Sequence, residues 1–287
     1  MATKGLAKLK SEMVFNQDLT RLVDVMKGIA AAQYHVMERK KTQMVRLEKG
    51  LAELFSVYDF RADAHPFIRN SNPKKLICLV TTDSGFLGGL NMKVVQAGLK
   101  HEEKGDHFLV VGERGVNYIR EFGKTFTSFP GINIDGSRFT LVDKVVNYII
   151  SSVTKDKFGR VFLIYPNAMS FTVQRVEILN LIPCPLFFKD KADKVLSDEA
   201  QARNVIVESE AEAIIEYLTA RWLNKRLLEA FEGAKLAEFG ARTMHLEESF
   251  QTLSKIDKQL KLQFFKARRE KIDQSLRETF TAQLMTK

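Results

Sequence analysis

A glycine-rich segment, Thr81–Asn91, is the strongest candidate in the sequence for a phosphate-binding site. It reads TTDSGFLGGLN, and it follows a predicted strand and precedes a predicted helix, which is where phosphate-binding loops lie. It contains neither GxGxxG nor a Lys-Ser/Thr pair after its last glycine, so it matches no nucleotide fingerprint. We therefore interpret it as a tight turn in which Gly85, Gly88 and Gly89 supply unusual backbone angles, with nucleotide binding as the less favoured alternative.

Other residue types that could do chemistry are not arranged for it. The tripeptide GKT at 123–125 resembles the end of a P-loop, but the first glycine of that motif would fall at Tyr118. The five histidines are scattered, and the two cysteines, Cys78 and Cys184, have no metal-ligand spacing. No Ser, His and Asp grouping stands out. The sequence therefore predicts no catalytic residue, no metal site and no cofactor.

The composition is that of a folded protein with an excess of positive charge. Of the 287 residues, 45% are hydrophobic and 28% are charged, and the formal net charge is +9. No apolar run approaches the ~20 residues of a membrane span, and the first residues lack the apolar core of a secretory signal. With only two cysteines, a reducing compartment is the simplest location. The positive charge would suit nucleic acid, anionic lipid or an acidic protein.

The distribution of proline predicts two long helices. All six prolines lie between Pro66 and Pro185, and proline ends helices because it lacks a donor and clashes with the preceding turn. A heptad-like stripe crosses residues 6–58 and comprises Leu19, Leu22, Met26, Ile29, Gln33, Val36, Lys40, Met44, Leu47, Leu51, Leu54 and Tyr58. A second stripe crosses residues 205–284 and comprises Ile214, Leu218, Trp222, Leu246, Phe250, Leu253, Leu260, Phe264 and Ala267. Such helices need partners, so we expect them to pair as an antiparallel coiled coil.

The middle of the chain predicts a small α/β domain. Short apolar segments are predicted as strands: KLICLVTT, HFLVVG, TFTSF, RVFLIYP and FTVQRVEILNLIP. Segments with helical spacing lie between them, at 89–104, 114–122 and 138–153. The predicted domains are a coiled-coil helix at 1–60, an α/β domain at 72–186 and a coiled-coil helix at 205–287, and a polar linker is expected at 188–203. The predicted fold class is α/β, a long antiparallel coiled coil with an inserted α/β domain.

Three of the glycines inside the predicted long helices indicate something about packing or shape. Gly28 is followed by a run of small residues, and because glycine costs ~1 kcal/mol in a helix interior, we expect another element to approach closely there. Gly233 and Gly240 are candidates for a bend in the last helix.

Basic residues cluster on the last helix. We define the basic collar as Lys255, Lys258, Lys261 and Lys266, and Arg268, Arg269 and Lys271 follow it. A second basic band on the first helix comprises Arg39, Lys40, Lys41, Arg46 and Lys49. An acidic docking partner and a solvated helix face both fit this pattern. Nucleic acid is less favoured, because aromatic residues are not interleaved with the basic ones on an exposed surface.

Three segments in the same order resemble one family, the gamma subunits of F-type ATP synthases. MKGIAAAQYHVMER at 26–39 is similar to the family's first-helix signature, a Met followed by an alanine run. TTDSGFLGGLN is similar to the motif Asp-Arg-Gly-Leu-Cys-Gly-Gly-Leu-Asn, and the end of the chain, from Ala241-Arg242 to FKARREKIDQSL at 265–276, is similar to the family's C-terminal helix. Ser84 departs from the family's Arg, Leu87 from a frequent Cys, and Arg269 from the usual Gln.

The resemblance implies a mechanical function. It implies a small Rossmann-like domain inserted between two paired helices, which form a noncatalytic shaft that turns inside a ring of alternating alpha and beta subunits. Rotation would couple transmembrane proton flow to ATP synthesis or hydrolysis. The implied partners are the alpha and beta subunits, the epsilon subunit and the membrane c-ring. The implied location is the cytoplasmic side of a bacterial inner membrane, as a peripheral subunit, or the matrix side of the mitochondrial inner membrane.

The resemblance also assigns residues. Met26, Lys27, Arg242, Arg268 and Arg269 are expected to contact the stator, and the basic collar is expected to face an acidic lever segment of the beta subunits. One alternative is a gamma-like coiled-coil component of a specialised assembly derived from the F-type enzyme. Another is an α/β enzyme with helical arms, which would require nucleotide binding at the glycine-rich segment.

Overall fold

The computed structural model describes residues 5–41, 65–133, 137–184 and 210–285. These residues fall into two compact units, one within Met1–Ala32 and Thr243–Lys287 and the other within Gln33–Arg242. Two long helices, α1 (Leu6–Lys41) and α5 (Ala211–Met285), contribute to both units. The predicted end of the first helix and the predicted linker at 188–203 lie outside the described residues. None of the described helices is long and apolar enough to cross a bilayer.

A five-stranded sheet forms the centre of the unit within Gln33–Arg242. Its strands are β1 (Lys75–Val80), β2 (His107–Val111), β3 (Phe126–Phe129), β4 (Arg160–Ala168) and β5 (Gln174–Ile182). Their spatial order is β3-β2-β1-β4-β5, and all neighbours are parallel except β4 and β5, which are antiparallel. The intervening helices are α2 (Leu90–His101), α3 (Glu113–Glu121) and α4 (Ser137–Thr154). Each strand and helix predicted in this region is confirmed within a few residues.

The central strands of the sheet are buried on both faces. Leu76 and Cys78 of β1 pack into one core with α4 and the first part of α5, whereas Ile77 and Leu79 pack into another with α2 and α3. Because helices cover both faces, β1 needs apolar residues at consecutive positions, which explains its unbroken run KLICLV. In this unit α5 therefore serves as a wall of the α/β core.

The helix α5 continues through both of its candidate bend residues. Gly233 and Gly240 instead allow the hairpin of β4 and β5 to approach closely. A Cβ atom at Gly233 would lie 2.9 Å from Asn167 Oδ1, and one at Gly240 would lie 2.9 Å from the carbonyl oxygen of Phe171. The sequence indicated that these two glycines were special, but it did not indicate that the reason was packing.

The other unit contains an antiparallel pair of helical segments, 6–32 of α1 and 243–285 of α5. The Asn16 side chain bonds to the carbonyl oxygen of Leu253, whereas Lys27, further along α1, bonds to Glu247, which comes earlier in α5. Contacts thus run in opposite directions along the two segments. The antiparallel pairing predicted from the sequence is confirmed.

The apolar stripe predicted on α1 does not coincide with the face of α1 that is buried. Leu9, Asn16, Ala30, Tyr34 and Met37 are the buried residues of α1 among those described. Leu22, Ile29 and Val36, which were predicted to face the partner helix, are more than half exposed. The prediction failed because α1 carries apolar residues on two faces, and periodicity alone cannot tell which face turns inward. Gly28 also lies outside, with nothing within 4 Å of a Cβ at its position, so no described element approaches it closely.

Candidate partner-binding interface

The glycine-rich segment is held by its own hydrogen bonds. Asp83 accepts hydrogen bonds from the backbone nitrogens of Glu113, at 2.8 Å, and Gly131, at 3.2 Å. Glu113 is the first residue of α3, so a carboxylate of the chain itself occupies the anion-accepting end of that helix. Asn91 bonds to both the backbone nitrogen and the hydroxyl of Thr82. The arrangement supports a structural turn.

Two of the three glycines expected to have unusual backbone angles do have them, and a phenylalanine has such an angle in place of the third. Gly88 and Gly89 have positive φ, of 56° and 84°, whereas Gly85 is absent from the described residues with positive φ. Phe86 takes that conformation instead, with φ of 62°, and its side chain is 57% exposed. A bulky residue in the left-handed region is strained.

Lys27, a predicted stator contact, is part of a network within its own unit. Its ammonium group lies 2.9 Å from Asp24 and 3.0 Å from Glu247, and 4.4 Å from the centre of the Phe250 ring. Hydrogen bonds to Asp24 and Glu247 raise the pKa of Lys27, and hydrogen bonds from Gln251 and Lys27 lower the pKa of Glu247. Lys27 therefore links the two helical segments, and Met26 beside it is partly buried. Their contact with a stator stays a prediction.

Arg242, in the other unit, is also engaged within the chain. Its guanidinium donates to Glu238 at 2.5 Å and to the hydroxyl of Ser84 at 2.6 Å, and Ser84 lies 3.0 Å from the same carboxylate oxygen. Lys235 bonds to the second oxygen of Glu238 at 2.8 Å. Ser84, where the resembled family has Arg, thus joins the glycine-rich segment to α5 through a hydroxyl group. Contact of Arg242 with a stator also stays a prediction.

The remaining predicted site residues lie on the outside of α5. Lys255, Lys258, Lys261, Lys266, Arg268 and Arg269 are all exposed. Lys261 differs from the others, since it lies 2.7 Å from Asp257, which also accepts a hydrogen bond from Gln17 across the helix pair. Lys255, Lys258, Lys266 and Arg269 lie on the face of the helix opposite Leu253, Leu260 and Phe264, the partly buried residues that face inward.

An exposed apolar stripe was missed by the sequence analysis. Large side chains that are half exposed or more continue the spacing of three and four residues from Lys255 and Lys258. We call the whole set the outward stripe, and it comprises Lys255, Lys258, Leu262, Phe265, Arg269, Ile272, Leu276 and Phe280. The statement that aromatic residues are not interleaved with the basic ones is therefore wrong. The spacing of these residues is visible in the sequence. The prediction considered only one apolar stripe on this helix, the one through Leu253, Leu260 and Phe264.

The outward stripe has two chemical parts. As far as Arg269 it combines three cations with two apolar side chains, and from Ile272 onward all of its members are apolar. Leu262 is 72% exposed and Phe280 is 64% exposed. An exposed apolar stripe of this length indicates a surface that binds another protein. Among the described residues no three His, Cys, Asp or Glu side chains are grouped so that they could hold a metal ion.

Comparisons with known proteins match most of the chain. A sequence model of the ATP synthase family matches residues 5–282. The ATP synthase gamma chain of Halothermothrix orenii is 29% identical over 221 residues, which are 75% of this chain and 75% of that one. The ATP synthase gamma chain of Clostridium perfringens is 23% identical over 285 residues, covering 97% of both.

The fold matches solved structures as well. A chain in the mitochondrial ATP synthase of Euglena gracilis, from a structure of its OSCP, F1 and c-ring, has a TM-score of 0.69 at 16% identity. That match covers 98% of this chain and 94% of the other. A chain of the central stalk and c-ring of the Tetrahymena thermophila mitochondrial ATP synthase has a TM-score of 0.60 at 18% identity and covers 79% of this chain.

Proposed function

Because the chain belongs to the ATP synthase family, as a gamma chain of the central stalk, we propose that it acts as a rotor that transmits torque and catalyses nothing by itself. Its turning would couple transmembrane proton flow to the synthesis or hydrolysis of ATP by its partners. Those partners are the alpha and beta subunits, the epsilon subunit and the membrane c-ring.

The outward stripe is the observation that carries this proposal. A rotating surface would pass one acidic segment after another. Exposed cations suit such a surface, because long-range attraction guides an approaching acidic segment without the need for a fixed ion pair. The exposed apolar residues that follow, Ile272, Leu276 and Phe280, would lie in an apolar sleeve of the alpha and beta subunits. Lys255, Lys258, Lys266, Arg268 and Arg269 are the residues that would contact acidic groups of the stator.

The internal contacts of Lys27 and Arg242 suggest a second role in the same machine. Lys27 joins the paired helical segments, and Arg242 joins α5 to the glycine-rich segment. A shaft can transmit torque only if its elements do not slide past one another. These two residues, with Met26, would hold the shaft together while also bordering the stator.

The family implies membership of a membrane-associated complex. We propose that the chain is a peripheral subunit on the cytoplasmic side of a bacterial inner membrane, with the matrix side of the mitochondrial inner membrane as the alternative. Labelling of intact and opened membrane vesicles with an antibody would distinguish exposure on either side.

Reconstitution tests the rotor function. The purified chain should hydrolyse no ATP, and its addition to cognate alpha and beta subunits should restore ATPase activity. Replacing Lys255, Lys258 and Arg269 together with Glu should reduce this activity and its coupling to proton flow, whereas exposed charges contribute little to stability. The matched control replaces Lys8, Lys10 and Arg21 of α1, which are also exposed, with Glu. Equal losses in both variants would refute a specific role of the outward stripe.

The alternative, a gamma-like component of a specialised assembly, is not favoured. The family match extends over residues 5–282, and the departure at Ser84 is accommodated by bonds to Glu238 and Arg242. Nothing in the described residues favours another assembly.

A further inference from the structure

A polar cleft lies beside the glycine-rich segment in the unit within Gln33–Arg242. It is open to solvent, has a volume of about 540 Å³, and is lined by Gln33, Ser84, Asn133, Lys235 and Arg242, among others. This volume is in the ~300–1,000 Å³ range of small-molecule sites. The lining thus offers two cations, two amide groups and a hydroxyl group.

The two cations are largely buried and share a single carboxylate. The side chains of Lys235 and Arg242 are 14% and 15% exposed, and both bond to Glu238, which is 3% exposed. The ring of Phe239 lies near both cations, 5.4 Å from Lys235 Nζ and 5.9 Å from Arg242 Cζ. Two positive charges against one negative charge leave an excess of one positive charge in a partly desolvated place. Such an excess is unfavourable unless an anion is nearby.

A third cation borders the same place. Arg138 lines a small neighbouring cavity that shares Asn133 and Lys235 with the cleft. Its side chain is 17% exposed and lies 3.8 Å from a carboxylate oxygen of Glu232, and its Nε is buried and has no hydrogen-bond partner among the described residues. A buried N–H without a partner is costly, so this donor is a second indication of a missing acceptor.

The amide groups next to these cations are available too. For the side chains of Gln33 and Asn133, no hydrogen-bond partner occurs within the described ranges of the chain, and Asn133 is exposed. Amide N–H groups and cations together are the donors that bind phosphate oxygens. Among the described residues that line the cleft, Glu238 is the one carboxylate, and it is already paired.

We propose that this cleft binds an oxyanion, either free phosphate or the phosphate group of a nucleotide, held by Lys235 and Arg242 with Asn133 and Gln33 as neutral donors. The site differs from the surroundings of Asp83 in the glycine-rich segment, where that carboxylate already accepts hydrogen bonds from the backbone nitrogens of Glu113 and Gly131. It also differs from the outward stripe, which lies in the other unit. Bound phosphate would neutralise the excess charge next to the Ser84 contact and so strengthen the attachment of the glycine-rich segment to α5.

Calorimetric titration of the full chain with inorganic phosphate, ADP and ATP tests this proposal. Saturable binding to one site is expected, and Lys235→Met should weaken it about tenfold, the usual effect of losing one charge-assisted hydrogen bond. Asn133→Ala should weaken it less and leave the fold intact, because Asn133 is exposed and its amide makes no hydrogen bond within the described protein. Similar affinities for phosphate and ADP would identify free phosphate as the ligand, and tighter ADP binding would identify a nucleotide.

Lys225→Met is the matched control. Lys225 also lies on α5, is 13% exposed and pairs with one carboxylate of its own helix, Glu229 at 3.5 Å, but it does not line the cleft. It should leave the affinity unchanged. Equal weakening by both lysine variants would mean that the net charge of +9 attracts anions without a site, and the absence of saturable binding would equally overturn the proposal.

Discussion

The two halves of α5 contain similar side chains in very different surroundings. Between Ile215 and Leu246, nearly all leucine, phenylalanine and tryptophan side chains are buried, many of them in the core beside the sheet or in a cluster with Tyr34 and Met37 of α1. From Glu247 to Ala282, the range over which the structure describes the side chains, no residue is buried. Leu227 is fully buried and Leu262 is 72% exposed, although each belongs to a series of residues spaced three or four apart along the helix.

This difference separates two uses of an apolar helical stripe. In the first half the chain itself covers the stripe, so its side chains stabilise the fold. In the second half the inward side is only partly covered and the outward stripe is exposed, so its side chains would contribute to binding. The outer face of α1 resembles the second half, because Phe15, Leu22 and Ile29 are all more than half exposed.

The largest expected effect compares two phenylalanines of α5. Phe231 is fully buried in the core beside the sheet, and Phe265 is 55% exposed. Phe231→Ala should lower the free energy of unfolding by about 3–5 kcal/mol, the usual cost of such a cavity. Phe265→Ala should lower it by about 0.5 kcal/mol or less. Chemical denaturation of the isolated chain would measure both.

The same two variants separate folding from assembly. Phe265→Ala should weaken binding to the alpha and beta subunits although the chain remains folded. If it instead destabilised the isolated chain as much as Phe231→Ala, the second half of α5 would be packed within the chain, and the division of the helix into two uses would be wrong.

A smaller effect on stability is expected when glycines of the two long helices are replaced by alanine, and its sign should differ between Gly240 and Gly28. Gly240→Ala should destabilise the chain by about 1–3 kcal/mol, because the new methyl group would meet the Phe171 carbonyl oxygen at 2.9 Å. Gly28→Ala should stabilise it by up to ~1 kcal/mol, because no atom lies within 4 Å and alanine favours helix. Thermal unfolding of each variant measures the difference.

Gly28 also tests the outer face of α1. A variant that is more stable but assembles less well with the alpha and beta subunits would show that a partner approaches this glycine closely. Unchanged assembly would mean that Gly28 is only a weak point of the helix.

The sequence was sufficient to predict the elements of the fold. Proline placement, the spacing of the apolar residues and the change to short apolar runs located both long helices and all five strands. Their success is physical, because helix and strand periods are local properties of the chain. The unbroken apolar run of β1 likewise follows from helices on both faces of the sheet.

The sequence was not sufficient to orient the helices or to find the polar contacts. Leu22 and Ile29 are at least as apolar as Leu9 and Ala30, yet only the latter two are buried. Which face of a helix turns inward depends on the contacts that every face can make with distant parts of the chain. Similarly, Ser84 and Glu238 are 154 positions apart, and their hydrogen bond follows from the packing of α5 beside the sheet. No local pattern records such a pair.

The smallest expected effect concerns the pH dependence of the helix pair. Hydrogen bonds from Gln251 and Lys27 lower the pKa of Glu247, and hydrogen bonds from Lys261 and Gln17 lower the pKa of Asp257. A carboxylate with a lowered folded pKa contributes stability above its unfolded pKa, which is about 4.5 for Glu247 and 3.8 for Asp257, and loses it as the pH falls through the folded pKa. Glu247→Gln combined with Asp257→Asn should therefore lower the thermal midpoint slightly near neutral pH.

That small difference should disappear in acid. As the pH falls through the lowered pKa values, the wild-type carboxylates become protonated, and the two proteins should then unfold at the same temperature. The Lys27 ammonium, whose pKa is raised, stays charged throughout this range and loses its contribution only above about 10.5. A difference in midpoint that persisted unchanged in acid would show that the negative charges of Glu247 and Asp257 are not what stabilises the helix pair.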